Sequence, residues 1–222
     1  ELYKAVELAG IKDPVLVRPK EGGGLEILSG QRRHLIGTEL NYPIPTIIQR
    51  IDDADAKILV ADSNLHRDKI STYDLSRALK MKMEGMKQKA GRKKKGELGE
   101  KLNTDEAIAK EMGITVSKFN RMLRMSEATK DVCSKVDDGT LALSIASALS
   151  FLKPKNQDMA VRLSDLGYRL STERVEYLKR VEKADRLTED AMRKVLEGEN
   201  ILDPPKVVPL PVKQEKNSPA AV

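Results

Sequence analysis

Asn103 to Leu123, reading Asn-Thr-Asp-Glu-Ala-Ile-Ala-Lys-Glu-Met-Gly-Ile-Thr-Val-Ser-Lys-Phe-Asn-Arg-Met-Leu, is the stretch on which the fold turns. Its spacing predicts two short helices around a tight corner. Asn103 followed by Glu106 caps the first, and Ala109 is small where a second helix crosses closely. Gly113 supplies the positive φ that ends the first helix, and Thr115 caps the second. Ile108, Met112, Ile114, Phe119 and Met122 then share the inner side. Thr115, Ser117, Lys118, Asn120 and Arg121 stand at the front of the second helix and supply hydrogen-bonding groups for base edges or phosphates. The pattern matches a helix-turn-helix, although an αα-hairpin with glycine at its corner has the same outline.

The charge just upstream favours the nucleic-acid reading. From Lys80 to Lys101 there are nine basic and three acidic residues, an excess equal to the net charge of +6 carried by all 222 residues. Gly91, Gly96 and Gly99 suggest a mobile loop in the second half, so this stretch reads as a phosphate-contacting hinge with Lys93, Lys94 and Lys95 as candidate DNA contacts. A pI near 9.2 agrees with a polyanionic partner. Five Tyr, two Phe and no Trp argue against the stacking platforms that grip single strands. One cysteine, Cys133, excludes an intramolecular disulfide and a cysteine-rich zinc cage. His34 and His66 are the only histidines, so no metal site is expected, and the methionines Met81, Met83, Met86, Met112, Met122 and Met125 read as helix packing. No apolar run approaches the roughly 20 residues needed to cross a bilayer and no signal peptide is recognisable, so no membrane partner and a cytoplasmic location are expected. The chain starts at Glu1 rather than Met, so the natural start is expected to lie upstream.

Before residue 65 the chain mixes short β-like runs with turns, and after it almost everything has helical spacing. Val15–Val17 and Leu25–Leu28 flank Glu21-Gly22-Gly23-Gly24 as two strands and a turn, and Ile44–Ile48 is a third, edge-placed by Pro43 and Pro45. Helices are expected over 31–40 and 53–64, from Ser71 to about Lys89 behind a Ser71/Asp74 capping box, and over 140–153, 158–167, 172–184 and 188–196. The expected fold class is therefore an α+β N-terminal domain followed by an all-α helix-turn-helix domain. The expected divisions are 1–68, a connecting helix and basic linker over 69–102, a helical DNA-binding domain over 103–200, and a disordered Pro-rich tail over 201–222.

Ser29-Gly30-Gln31-Arg32-Arg33-His34 falls where a strand ends and a helix begins, a place where free backbone N–H groups and the helix dipole favour an anion. Gly30 permits close approach of the backbone, and Arg32 and Arg33 add forked cationic donors. Asp62-Ser63-Asn64-Leu65-His66-Arg67 closes the next helix and is expected to face the same pocket.

Gly10-Ile11-Lys12-Asp13-Pro14-Val15-Leu16-Val17-Arg18-Pro19, then Glu26 to Arg33, then Ser63 to Arg67 resembles the three ordered boxes of the ParB family of partition proteins, with the helix-turn-helix following in order. The resemblance spans about residues 5–155 and suggests a short, mobile-element type. It implies a CTP-switched clamp on a centromere-like inverted repeat in double-stranded DNA, acting as a homodimer with a partition ATPase as possible partner, on the nucleoid or a plasmid. CTP with Mg2+ is the implied cofactor. Carried over, Ser29, Gly30, Gln31, Arg32, Arg33, Asn64 and Arg67 are the implied nucleotide contacts. Two departures stand out. Gln31 and Leu35 occupy positions where the family carries an acid and a third arginine, and Ser63 stands where it carries the glutamate that supports magnesium and hydrolysis. Hydrolysis is therefore expected to be slow or absent, leaving at most a weak CTPase. A transcription regulator using the same helix-turn-helix, or a nucleotide-dependent enzyme of nuclease or kinase-like type, are the competing readings.

Overall fold

The structure is a computed structural model that describes residues 1–67, 69–92 and 103–202, with backbone alone for 90–92. The expected Lys93–Lys95 contacts and the Pro-rich tail lie outside the described residues. Both α-helix and β-strand are present: eleven α-helices and three strands among the described residues.

The chain opens with a helix that sequence spacing did not reveal, α1 (Leu2–Ala9). Its inner face carries Val6, which is buried, and Leu2, half-buried four residues earlier, a short i, i+4 pattern easily lost among β-like runs. Strand β1 (Val15–Pro19) pairs antiparallel with β2 (Leu25–Ser29), matching Val17 to Ile27 and Arg18 to Glu26, and a register shift falls between Leu16 and Val17. Gly22, Gly23 and Gly24 all carry positive φ, which is how three residues turn the chain so tightly. β3 (Thr46–Ile48) runs parallel to β1, giving the order β2-β1-β3 and placing the proline-flanked strand at an edge, as its residues predict. Between them α2 (Gln31–Glu39) starts directly from β2 through Gly30, and α3 (Asp53–Leu65) follows β3 with Asp52 capping the amide of Asp55. Arg18 ties three of these elements together, 2.7 Å from Glu26 on β2 and 2.8 Å from Asp53 on α3.

Helix α4 (Thr72–Arg92) begins at the expected box: the Ser71 hydroxyl accepts from the Asp74 amide at 3.1 Å and donates to its carboxylate at 2.9 Å. It corrects the expected linker in two ways. Its backbone stays helical through Gly91, and it is the central packing element rather than a connector. Gly85 sits against α3 so closely that a Cβ there would come within 2.7 Å of the Ala54 carbonyl and 2.8 Å of Ile58. Buried Leu79 on α4 packs with Ile108, Ala109 and Phe119, and with Leu65 from α3, so one small core is shared across the expected boundary near residue 68. Further along, Thr72 and Asp137 and then Lys80 and Glu127 join α4 to the helices that follow.

Helices α5 (Thr104–Glu111) and α6 (Val116–Arg124) are followed by a single 3-10 turn, Met125–Glu127, and then α7 (Lys130–Asp137), α8 (Leu143–Leu149), α9 (Pro154–Asp165), α10 (Thr172–Lys183) and α11 (Glu189–Glu197). The last five enclose a second core that includes Met125, Val132, Leu149, Leu163, Leu178 and Met192. Helix α8 is shorter than its apolar pattern predicts, and α9 starts earlier, at Pro154, because proline is suited to the first helical position, where no intrahelical donor is required. Cys133 lies inside this core, fully buried.

Candidate functional site

The cleft is made where β2 hands over to α2. Gly30 is the N-cap of α2 with φ 97 and ψ 20, a left-handed conformation that side chains adopt only with strain. A Cβ at this position would meet Val15 at 3.2 Å, so the glycine is required both by the turn and by the close passage of β1. No side chain caps α2, and its first-turn amides therefore remain as donors at the positive end of the helix dipole.

One cleft of about 450 Å³ is lined by Ser29, Gly30, Gln31, Arg32 and Arg33 on one side and by Ser63, Asn64 and Arg67 on the other. Every residue expected from sequence to contact nucleotide stands on this wall, and the two separate segments do face each other. The two arginines differ. Arg33 is only 24% exposed and donates from Nη1 to the carbonyls of Asp13 at 2.7 Å and Pro14 at 3.1 Å, holding the entry to β1 against the start of α2. Arg32 is exposed and makes no hydrogen bond or ion pair among the described residues, which leaves its guanidinium for an anion. Ser63 Oγ and Asn64 Nδ2 both donate to the Val60 carbonyl at 2.9 Å, fixing these side chains to their own helix. Leu35, at the position where a third arginine was expected from the resemblance, is 66% exposed.

A neighbouring hollow shares Ser29 and Ser63 and is lined by Leu16, Ile58 and Leu59 together with Asp55 and Asp62. These two carboxylates are already engaged, Asp55 by Lys89 and Asp62 by Lys82. Among the described residues no three His, Cys, Asp or Glu side chains converge to hold a metal ion. The donor set thus does not build a protein cage for magnesium, a hard ion that requires several oxygen ligands in near-octahedral array.

Lys82 is 4% exposed and is the one charged residue buried among the described residues. Its Nζ lies 2.6 and 2.8 Å from the two Glu111 oxygens at the end of α5, and 2.8 Å from Asp62 Oδ1 on α3. Asp62 Oδ1 is shut off from solvent and its approach to Lys82 is poorly aligned for a hydrogen bond, so this contact is a meeting of charges more than a directed bond. Burial works against the Lys82 charge, but Asp62 and Glu111 outweigh it and raise the pKa. Lys82, Lys80 and Lys89 all belong to the run of nine basic residues, and all three spend their charge on internal partners. Of the three only Lys82 is buried, while Lys80 and Lys89 pair at the surface.

At the other end, Gly113 has φ 64 and turns α5 into α6, while the Thr115 hydroxyl accepts from the Lys118 amide at 3.2 Å. Asn103 precedes α5 but its side chain makes no capping bond, which corrects that expectation; Asp105 and Glu106 in the first turn complement the dipole instead. Ile108, Ala109 and Phe119 are buried and Met112, Ile114 and Met122 pack around them. Thr115, Ser117, Lys118, Asn120 and Arg121 are all exposed on the outer side of α6. The inside-outside division read from spacing is the one the structure has.

No family model matches the chain. It is 26% identical over 208 residues to the nucleoid occlusion protein of Geobacillus sp. (strain WCH70), covering 93% of this chain and 64% of that one. It is 24% identical over 159 residues to the chromosome-partitioning protein Spo0J of Thermus thermophilus, covering 71% of this chain and 52% of that one. The chain thus resembles proteins of nucleoid occlusion and chromosome partition. It spans between about half and just under two thirds of the length of these curated relatives. A solved chain of the C-terminally truncated chromosome-partitioning protein ParB from Caulobacter crescentus, complexed to the centromeric parS site, aligns with TM-score 0.41 and 22% identity over 81% of this chain and 88% of that one. The likeness is loose, and the residue placements in this chain rest on its own geometry.

Proposed function

We propose that this chain is a DNA-binding partition protein whose grip on DNA is switched by CTP. The observation that carries the reading is the convergence of Ser29–Arg33 and Ser63–Arg67 on one cleft, with an uncapped helix start and an exposed arginine facing it. That is the chemistry of a polyphosphate site. CTP is the nucleotide the sequence resemblance names. The names of the relatives, proteins of chromosome partition and nucleoid occlusion, support DNA as the second ligand.

Helices α5 and α6 act as the groove reader: Ser117, Lys118, Asn120 and Arg121 meet base edges and phosphates, and Thr115 sets the start of the reading helix. A homodimer on an inverted repeat gives each protomer one half-site, and the nucleoid or a plasmid is the place of action, with a partition ATPase as a further partner. Ser63 carries no charge to hold a metal and Asp62 is held by Lys82, so turnover of the nucleotide is slow and the switch works by binding.

The test combines calorimetry with CTP, GTP, ATP and UTP and selection of duplexes from a random pool. CTP binding together with enrichment of a palindromic site is expected. Failure to bind any nucleotide overturns the first half, and failure to enrich any sequence overturns the second.

A further inference from the structure

The Asp62–Lys82–Glu111 cluster joins α3 to α5, helices that belong to the two candidate ligand sites. Asp62 is on α3, whose Ser63 and Asn64 line the nucleotide cleft, and Glu111 is the last residue of α5 in the candidate DNA reader. Lys82 stands between them on α4, three residues before Gly85, where α4 and α3 are already in closest approach. A cation with two carboxylates leaves the cluster with one net negative charge, two of its members drawn from elements that bind different ligands. A polyanion entering the cleft repels Asp62 and attracts Lys82, and either shift alters the hold on Glu111. In a partly desolvated setting such charge effects are weakly screened.

We infer that Lys82 is a positioning residue that fixes the DNA reader to the wall of the nucleotide cleft and transmits occupancy of one site to the other. This rests on the functional reading above for the two ligands, while the fixing itself needs neither. Glu111→Ala is the informative variant: its side chain is 55% exposed, it lines neither site, and its loss leaves the Lys82–Asp62 pair intact. Lys82→Met is the harsher variant, because two carboxylates then face a buried site with no cation between them. Lys80→Ala, which removes a surface pairing from the same helix, is the control.

The experiment has two arms on the full chain. Hydrogen exchange without ligands is expected to quicken about tenfold over residues 104–124 in Glu111→Ala, with residues 130–197 unchanged. Calorimetry with CTP, with and without the selected duplex, is expected to show unchanged CTP affinity without DNA. The factor by which DNA alters that affinity should fall from about fivefold or more in the parent to near one in Glu111→Ala, and stay at the parental value in Lys80→Ala. A parental factor retained in Glu111→Ala overturns the inference. A parent that binds no CTP overturns the nucleotide reading instead, and exchange then decides alone: unchanged rates over 104–124 overturn the positioning role.

Discussion

At the scale of single residues, the two adjacent arginines separate into an anchor and an exposed donor with no partner among the described residues. Arg33→Ala removes the tie from α2 to the Asp13 and Pro14 carbonyls, so it is expected to lower both melting temperature and CTP affinity. Arg32→Ala touches no partner among the described residues and is expected to lower CTP affinity with the melting temperature unchanged; thermal melts beside calorimetry separate the two. Gly30→Ala forces a Cβ into a left-handed residue against Val15 and is expected to cost about 1–3 kcal/mol in denaturant unfolding. Cys133 shows the opposite case, chemistry suppressed by packing. Burial pushes its thiol up to about 11, so alkylation by iodoacetamide at pH 8 should be negligible in the native protein and rapid once it is unfolded.

At the scale of elements, the helix pair α5–α6 is stable because Phe119 plugs it onto α4. Phe119→Ala is expected to cost about 3–5 kcal/mol, enough to loosen the pair, while Thr115→Ala removes only the cap and costs about 1 kcal/mol. Lys118→Ala and Arg121→Ala should leave unfolding unchanged and weaken binding to the selected duplex by about 1–3 kcal/mol, as read by fluorescence anisotropy. Helix α4 is where element-level reading of the sequence fell short. Its capping box and length were legible, but a run of lysines looks the same whether it faces phosphate or carboxylate, and Lys80, Lys82 and Lys89 each found a carboxylate on another element.

At the scale of the whole molecule, α4 makes one body of what the composition divides near residue 68. The consequence for pH follows from Lys82. Its folded pKa is raised, so its contribution to stability is fully present below the unfolded value of 10.5 and is lost as pH rises through the higher folded one. Melting temperatures should show this loss only above about pH 10.5, and Lys82→Met should lessen it, because the paired Lys89, Lys135 and Lys194 are raised in the same direction. Net charge of +6 adds a second expectation: affinity for duplex falls steeply as salt rises, and Arg121→Ala reduces the slope by about one.

Local pieces were legible in the sequence alone: the strand pair around three glycines, the Ser71 and Thr115 caps, and the inner and outer faces of α5 and α6. Those are set by neighbours within a few residues, through φ preferences, capping and periodicity. Helix α1, the role of Arg33 as an anchor and the engagement of Lys82 by Asp62 and Glu111 were decided by tertiary structure. Each depends on which groups from distant segments meet in a region shut off from water, and a lysine's partner, unlike its charge, is not encoded by spacing along the chain.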